Sequence, residues 1–300
     1  MSLAQRLAET AAVVERRLAA HLAAEACSAT PPRLLAAMRH GLLGGGKRFR
    51  PFLVIESAAL FGIPIEAAAE TAVALECVHC YSLAHDDLPA MDDDEVRRGQ
   101  PTVWKAFDEW TAILAGDALA TLAFEILASP QCHVDPAVRS ELALGLARAA
   151  GHAGMVGGQA FDLEADKLGQ PARPTVEHVR RLQAMKTGAL LAFAAEAGAI
   201  LGRADAERRR ALLAYGRSLG LAFQIADDLL DVEGDAETVG KAVAKDAHRG
   251  KATLISLMGI EPARQLLAEA EAEAIAALAP FGADARWLVE AAHFVSRRRH

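Results

Sequence analysis

The chain has 300 residues, enough for one large domain with a sizeable core, and its formal net charge of -7 argues against nucleic acid as a partner. Hydrophobic residues make up 52% but aromatic residues only 5%, so alanine and leucine carry the apolar content, which favours packed helices over sheets. An anionic ligand would have to be met by local cations, because the overall field repels it.

Met1 to Ala20 carries Arg6, Glu9, Glu15, Arg16 and Arg17 at intervals and lacks the uninterrupted apolar core of a signal peptide. Leu3, Leu7, Val14 and Leu18 share one face of a first expected helix, and Leu34, Leu35, Met38 and Leu42 mark a second. Gly41-Leu42-Leu43-Gly44-Gly45-Gly46-Lys47 approaches a phosphate-binding P-loop. It departs at Arg48, where Ser or Thr should hold Mg2+, and a helix precedes it where a strand should stand. These glycines are read instead as letting the backbone turn around an anion, with Lys47, Arg48 and Arg50 offering charge before Pro51 restarts a helix.

The next helix is expected from about Ile65 through Leu83, ended by Pro89. Within it, Cys77-Val78-His79-Cys80 lacks a second Cys/His pair at zinc-ligand spacing and reads as buried helical thiols. The four cysteines (Cys27, Cys77, Cys80, Cys132) form no disulfide framework and suggest a reducing compartment. At the helix end comes His85-Asp86-Asp87-Leu88-Pro89-Ala90-Met91-Asp92-Asp93-Asp94, then Arg97 and Arg98. Asp86 and Asp87 should occupy the last turn, with Asp92 reaching back from the loop.

Val176 to Met185 reads as helical, and Lys186-Thr187 follows it. The most apolar stretch, Ala189 to Leu201, contains Glu196, and no window is expected to reach transmembrane length. A helix over Leu219 to Val232 carries Asp227-Asp228-Leu229-Leu230-Asp231 and should end near Gly234. Asp227 and Asp231 share a face, with Asp228 about 100° round. In a last turn these carboxylates would oppose the negative end of the helix dipole. The preceding Leu221-Ala222-Phe223-Gln224-Ile225-Ala226 is mostly apolar, so this turn should face a cavity rather than solvent. Lys241, Lys245 and Lys251 follow.

Carboxylates so dense raise one another's pKa unless a cation sits between them. Mg2+ takes one or two carboxylates and leaves other positions to water and phosphate oxygens, so the two clusters read as halves of a magnesium–diphosphate site. A di-iron site would need Glu-x-x-His pairs on two helices, and none is suitably placed. With no repeat and no dividing linker, residues 1–300 read as a single all-α domain, a bundle of about ten or more helices around a central cavity. The protein is expected to be soluble and cytoplasmic.

Five segments occur in order: Gly45-Gly46-Lys47-Arg48-Phe49-Arg50-Pro51, the His85 to Gly99 stretch, Gly157-Gly158-Gln159-Ala160-Phe161-Asp162-Leu163, Lys186-Thr187-Gly188 and Phe223 to Asp231. Together they resemble the trans-isoprenyl diphosphate synthase family, of the bacterial farnesyl diphosphate synthase type. The resemblance implies an all-α, usually homodimeric enzyme that condenses isopentenyl diphosphate with allylic diphosphates to farnesyl diphosphate. It implies Mg2+, or Mn2+ in its place, on Asp86, Asp92 and Asp227, assisted by Asp87, Asp228 and Asp231. Lys47, Arg50, His79 and Arg98 would hold isopentenyl diphosphate; Arg97, Lys186, Lys241 and Lys251 would grip the allylic diphosphate. Thr187 and Gln224 would direct oxygens at the developing cation. Phe49 and Ala244 depart from the family pattern without removing a charge.

Tyr81 and Ser82 stand about one turn before Asp86, under a prenyl tail whose diphosphate is held at the helix end, so Tyr81 is the expected floor that sets product length. A geranylgeranyl diphosphate synthase is the near alternative. A class I terpene cyclase would carry an Asn/Ser/Glu second motif, and a non-catalytic regulatory subunit would have lost one aspartate cluster.

Overall fold

The computed structural model of the chain describes residues 1–237 and 252–297, and its contacts fall into two compact units. The first is Met1–Leu144 with Ile200–Arg203; the second is Gly145–Ala199 with Ala204–His300. Lys241, Ala244, Lys245 and Lys251 lie outside the described residues. The expectation of an all-α fold holds: the only strands among the described residues are the two-residue arms of one hairpin.

In the first unit, α1 (Leu3–His21) starts at a Ser2 capping box closed by Gln5. α2 (Pro32–Leu43) and α3 (Phe49–Ala59) follow, then α4 (Ile65–Asp86). α4 is buried without interruption from Ala68 through Val78, because α1, α2, α3 and α6 pack around it. It still carries polar groups there, and each is answered. Glu70 meets His21 at 2.7 Å, Thr71 meets the Cys132 thiol at 3.4 Å, and Glu76 pairs with Arg48.

The hairpin β1 (Val96–Arg97) and β2 (Gln100–Pro101) turns through Arg98 and Gly99, both at positive φ (53° and 75°), as a tight two-residue turn requires. The short α5 (Val103–Ala106) leads to α6 (Glu109–Ala128), capped by the Asp108 carboxylate accepting from the Thr111 N–H at 2.8 Å. One face of α6 packs on α4, while Trp110, Ile113 and Leu114 remain exposed on the other. α7 (Pro136–Ala150) closes the unit.

The second unit contains α8 (Met155–Leu168), α9 (Val176–Gln183), a π-helical turn (Ala184–Gly188), α10 (Ala189–Leu201) and the long α11 (Ala206–Glu237). After them come α12 (Leu254–Met258), α13 (Ile260–Ala277), a 3-10 turn (Ala279–Ala285) and α14 (Arg286–Ser296). α11 is its axis, contacted by α13, α14 and the π turn. The Tyr215 hydroxyl, fully buried on α11, donates to the Leu288 carbonyl at 2.8 Å.

Two sequence expectations need correction. α11 runs to Glu237 rather than ending near Gly234, so Asp227 lies well before its last turn and the dipole penalty expected there largely vanishes. Two helical stretches, Glu109–Ala128 and Val176–Leu201, are long and apolar enough to cross a membrane by length and composition, against the expectation that none would be. The second exceeds its apolar core because α9, the π turn and α10 run on as one rod; most of it is buried inside the protein.

Arg48 also differs from its expected role at an anion. Its guanidinium is buried, with Nε donating to Glu15 at 2.7 Å and Nη2 to the Leu42 carbonyl at 2.7 Å, besides its pairing with Glu76. Burial works against its charge, but Glu76, Cys80 and Glu15 together outweigh that and hold the guanidinium above its ordinary pKa. Arg48→Met should therefore cost about 3–5 kcal/mol by leaving Glu76 buried and uncompensated. Urea unfolding measures this, and Arg48→Met with Glu76→Leu should recover much of the loss.

Candidate active site

A first group of candidate residues sits at the C-terminal end of α4. Asp86 is the last helical residue, and Asp87 caps the helix. Pro89 turns the chain back, so the Asp92 N–H donates to the Asp86 carbonyl at 2.9 Å and the Asp94 N–H to the Asp87 carbonyl at 3.1 Å. The expectation that Asp92 reaches back is met at the backbone. Five aspartates are thereby drawn to a helix end that already carries partial negative charge.

Asp87 is buried, and Arg97 meets its Oδ1 through Nε at 2.7 Å and Nη2 at 2.6 Å, with Asp94 3.5 Å from the same guanidinium. Burial pushes the Asp87 carboxyl up from its usual range, and Arg97 restrains the shift. Asp87 and Arg97 thus form a strut beneath Asp86.

Beside the strut, Arg50 Nη1 approaches His79 Nε2 at 3.5 Å, and the exposed Arg98 donates to the Gly45 carbonyl. Lys47 is exposed on the same loop. His79 is held well below its ordinary pKa, first by burial and then by Arg50, Arg98, Arg48 and Arg97, although the residue keeps some exposed surface. An imidazole kept neutral by burial, with four arginines acting in the same direction, marks a place where an anion would be welcome.

A second group is carried by α11, where Gln224, Asp227, Asp228 and Asp231 fall at helical spacing on one stripe. Asp227 and Asp228 are half-buried and Asp231 is exposed. Gln183 Nε2 donates to Asp228 Oδ2 at 3.1 Å, fixing that carboxylate from α9.

Lys186 and Thr187 lie inside the π turn, which the sequence reading placed only as the sequel to a regular helix. The Lys186 ammonium donates to Asp162 of α8 at 2.7 Å. α8 comes this close because residue 158 is glycine: a Cβ there would lie 2.2 Å from the backbone nitrogen of Lys186. Single π turns are often found at functional sites.

Three residues of the second unit had no assigned role in the sequence reading: Asp162, Gln183 and Gln159. Gln159, three residues before Asp162, has both side-chain amide atoms buried without a hydrogen-bond partner. The Gln-x-x-Asp spacing on one helical face was the available signal for the pair; nothing local pointed to Gln183.

Burial pushes the Cys80 thiol up to about 12 and holds Cys77 well above its ordinary value, so both stand as buried thiols on α4. At the two aspartate clusters the donors are hard carboxylate oxygens, suited to Mg2+. Among the described residues no group of three or more His, Cys, Asp or Glu side chains makes a ready cage.

The polyprenyl synthetase family model matches residues 31–278. The chain belongs to this family. Among relatives of this polyprenyl synthetase, the farnesyl diphosphate synthase of Escherichia coli is 47% identical over 232 residues, 76% of each chain. That of Geobacillus stearothermophilus is 43% identical over 239 residues, 79% of each. The crystal structure of an FPP/GFPP synthase from Zymomonas mobilis superposes with a TM-score of 0.87 at 45% identity, covering 98% of both chains.

The neutral state of His79 gives this polyprenyl synthetase a signed pH dependence. As pH falls through about 6.5, the unfolded chain takes up a proton that the folded site refuses, so stability declines. His79→Asn should flatten the unfolding free energy between about pH 7 and 5, as urea titrations at each pH would record.

Proposed function

We propose that the chain is a short-chain prenyltransferase that condenses isopentenyl diphosphate with dimethylallyl and then geranyl diphosphate to give (2E,6E)-farnesyl diphosphate. The observation that carries this reading is the arginine cluster around the buried His79 beside the aspartate-rich end of α4, in a chain of the polyprenyl synthetase family.

Lys47, Arg50, His79 and Arg98 hold the diphosphate of isopentenyl diphosphate. Arg97, Lys186, Lys241 and Lys251 grip the allylic diphosphate, with Arg97 also bracing Asp87. Asp86, Asp92 and Asp227, supported by Asp87, Asp228 and Asp231, would hold Mg2+ or Mn2+, which would supply positive charge to a departing diphosphate. Lys186, aimed by Asp162, adds to that charge as the allylic C–O bond breaks. Thr187 and Gln224 turn oxygens toward the cation left behind. The isopentenyl double bond attacks it, and the proton lost leaves to the released diphosphate. Water must be kept out while the cation exists.

The whole chain, 1–300, is read as one catalytic domain working as a cytoplasmic homodimer. The exposed Trp110, Ile113 and Leu114 on α6 supply an apolar face for the second copy. Tyr81, half-buried on α4 within the influence of Asp86, is read with Ser82 as the floor beneath the prenyl tail.

Incubation with isopentenyl and dimethylallyl diphosphates plus Mg2+, followed by mass analysis, should give a fifteen-carbon diphosphate. A twenty-carbon main product would make the chain a geranylgeranyl diphosphate synthase, and a cyclic hydrocarbon a terpene cyclase. Excess EDTA should abolish turnover, and Asp86→Ala and Asp227→Ala should each cost at least ~100-fold in kcat. Full activity in EDTA would overturn the metal assignment. Lys186→Ala should lower kcat more than it raises KM, because its charge is needed most in the transition state. Steady-state kinetics with geranyl diphosphate separate the two effects.

A further inference from the structure

The contact between α4 and α6 holds a feature that the catalytic assignments leave unused. His85, next to Asp86, reaches across to α6, where its Nε2–H donates to the Ile113 carbonyl at 3.0 Å. Its ring lies where a side chain of residue 116 would stand. A Cβ built on Gly116 would come 2.1 Å from His85 Nε2 and 2.4 Å from Cδ2. Gly116 is buried in the middle of α6, where glycine costs helix stability relative to alanine. The glycine is therefore the seat of the histidine ring.

On its other side, that ring meets Tyr81, one turn earlier on α4. The two centroids are 5.8 Å apart and the planes cross at 73°, an edge-to-face pair. Burial, followed by the Asp86 carboxylate, raises the pKa of the Tyr81 phenol, so the ring stands close to the metal-ligand end of the helix. A chain of contacts thus runs from the α6 backbone through His85 to the ring proposed as the floor.

We propose that Gly116 and His85 are positioning residues for product length: the bare α-carbon at 116 seats His85, and His85 holds Tyr81 in place under the growing prenyl chain. This inference rests on the reading of Tyr81 as the floor. Its physical content is that Tyr81 sets the length only while its ring is braced. A ring free to leave its edge-to-face contact lets a longer tail pass.

The test compares product lengths made from isopentenyl and dimethylallyl diphosphates by the wild type, Tyr81→Ala, Gly116→Ala, His85→Gln and Tyr81→Ala/Gly116→Ala. Gly116→Ala expels the ring from its seat; His85→Gln keeps an amide donor for the Ile113 carbonyl but removes the aromatic edge. Both should raise the ratio of twenty-carbon to fifteen-carbon product by about two- to tenfold, the worth of one edge-to-face aromatic pair. The double variant should make chains no longer than Tyr81→Ala alone, since the brace has nothing left to hold.

A merely structural contact would lower turnover and leave the ratio unchanged. If Tyr81→Ala lengthens the product while Gly116→Ala and His85→Gln keep the wild-type ratio, the brace is overturned. If Tyr81→Ala leaves the product unchanged, the floor itself is misplaced, which is seen before the other variants are compared. Should Gly116→Ala fail to fold by circular dichroism, His85→Gln decides alone.

Discussion

Like-charge repulsion at the end of α4 is the constraint to which much of the first unit answers. Asp86, Asp87, Asp92, Asp93 and Asp94 crowd a helix terminus whose own carbonyls are already partly negative. Left to itself, such a terminus would fray or stay protonated. The chain opposes this with a tight wrap of backbone hydrogen bonds and with Arg97 against Asp87. The hairpin that presents Arg97 is itself tied to the loop, since the Thr102 hydroxyl and the Trp104 indole both donate to the Asp94 carbonyl at 2.9 Å. The groups that hold the acids together thus also fix where they point.

The same logic explains why adjacent basic residues have opposite fates. Lys47 is exposed, Arg48 is buried, and Arg50 lies between these extremes beside His79. Arg48 is consumed by Glu15 and Glu76, and that internal pairing anchors the start of α3 to α1 and α4. A guanidinium suits this position, since it can satisfy two carboxylates and a carbonyl at once. Its neighbours remain near the surface, where a diphosphate could approach.

Much of the architecture was legible in the sequence because alanine- and leucine-rich periodicity admits few alternatives to packed helices. The Pro89 break and the return of Asp92 followed from the backbone restriction of proline. Three things were not legible. The inward turn of Arg48 depends on Glu15 and Glu76, which are remote in sequence. The extension of α11 past Gly234 shows that a glycine near an apolar run need not stop a helix. The π turn at Lys186 left no mark in composition, because one residue more or less per turn is invisible to side-chain periodicity over five residues. The roles of Asp162 and Gln183 were hidden for a related reason: each acts on a residue of another helix, Lys186 and Asp228.

The π turn also bears on how this sequence can change. A regular helix from Val176 to Leu201 would need one residue fewer, and deleting any one of residues 184 to 188 would supply it. Local backbone geometry would improve. The side chains within the turn would then lose the positions that the extra residue gives them, Lys186 its place beside Asp162 among them. Such a deletion makes the better helix and gives up that ion pair, so in this segment helical regularity and the Lys186–Asp162 contact are opposing directions of drift.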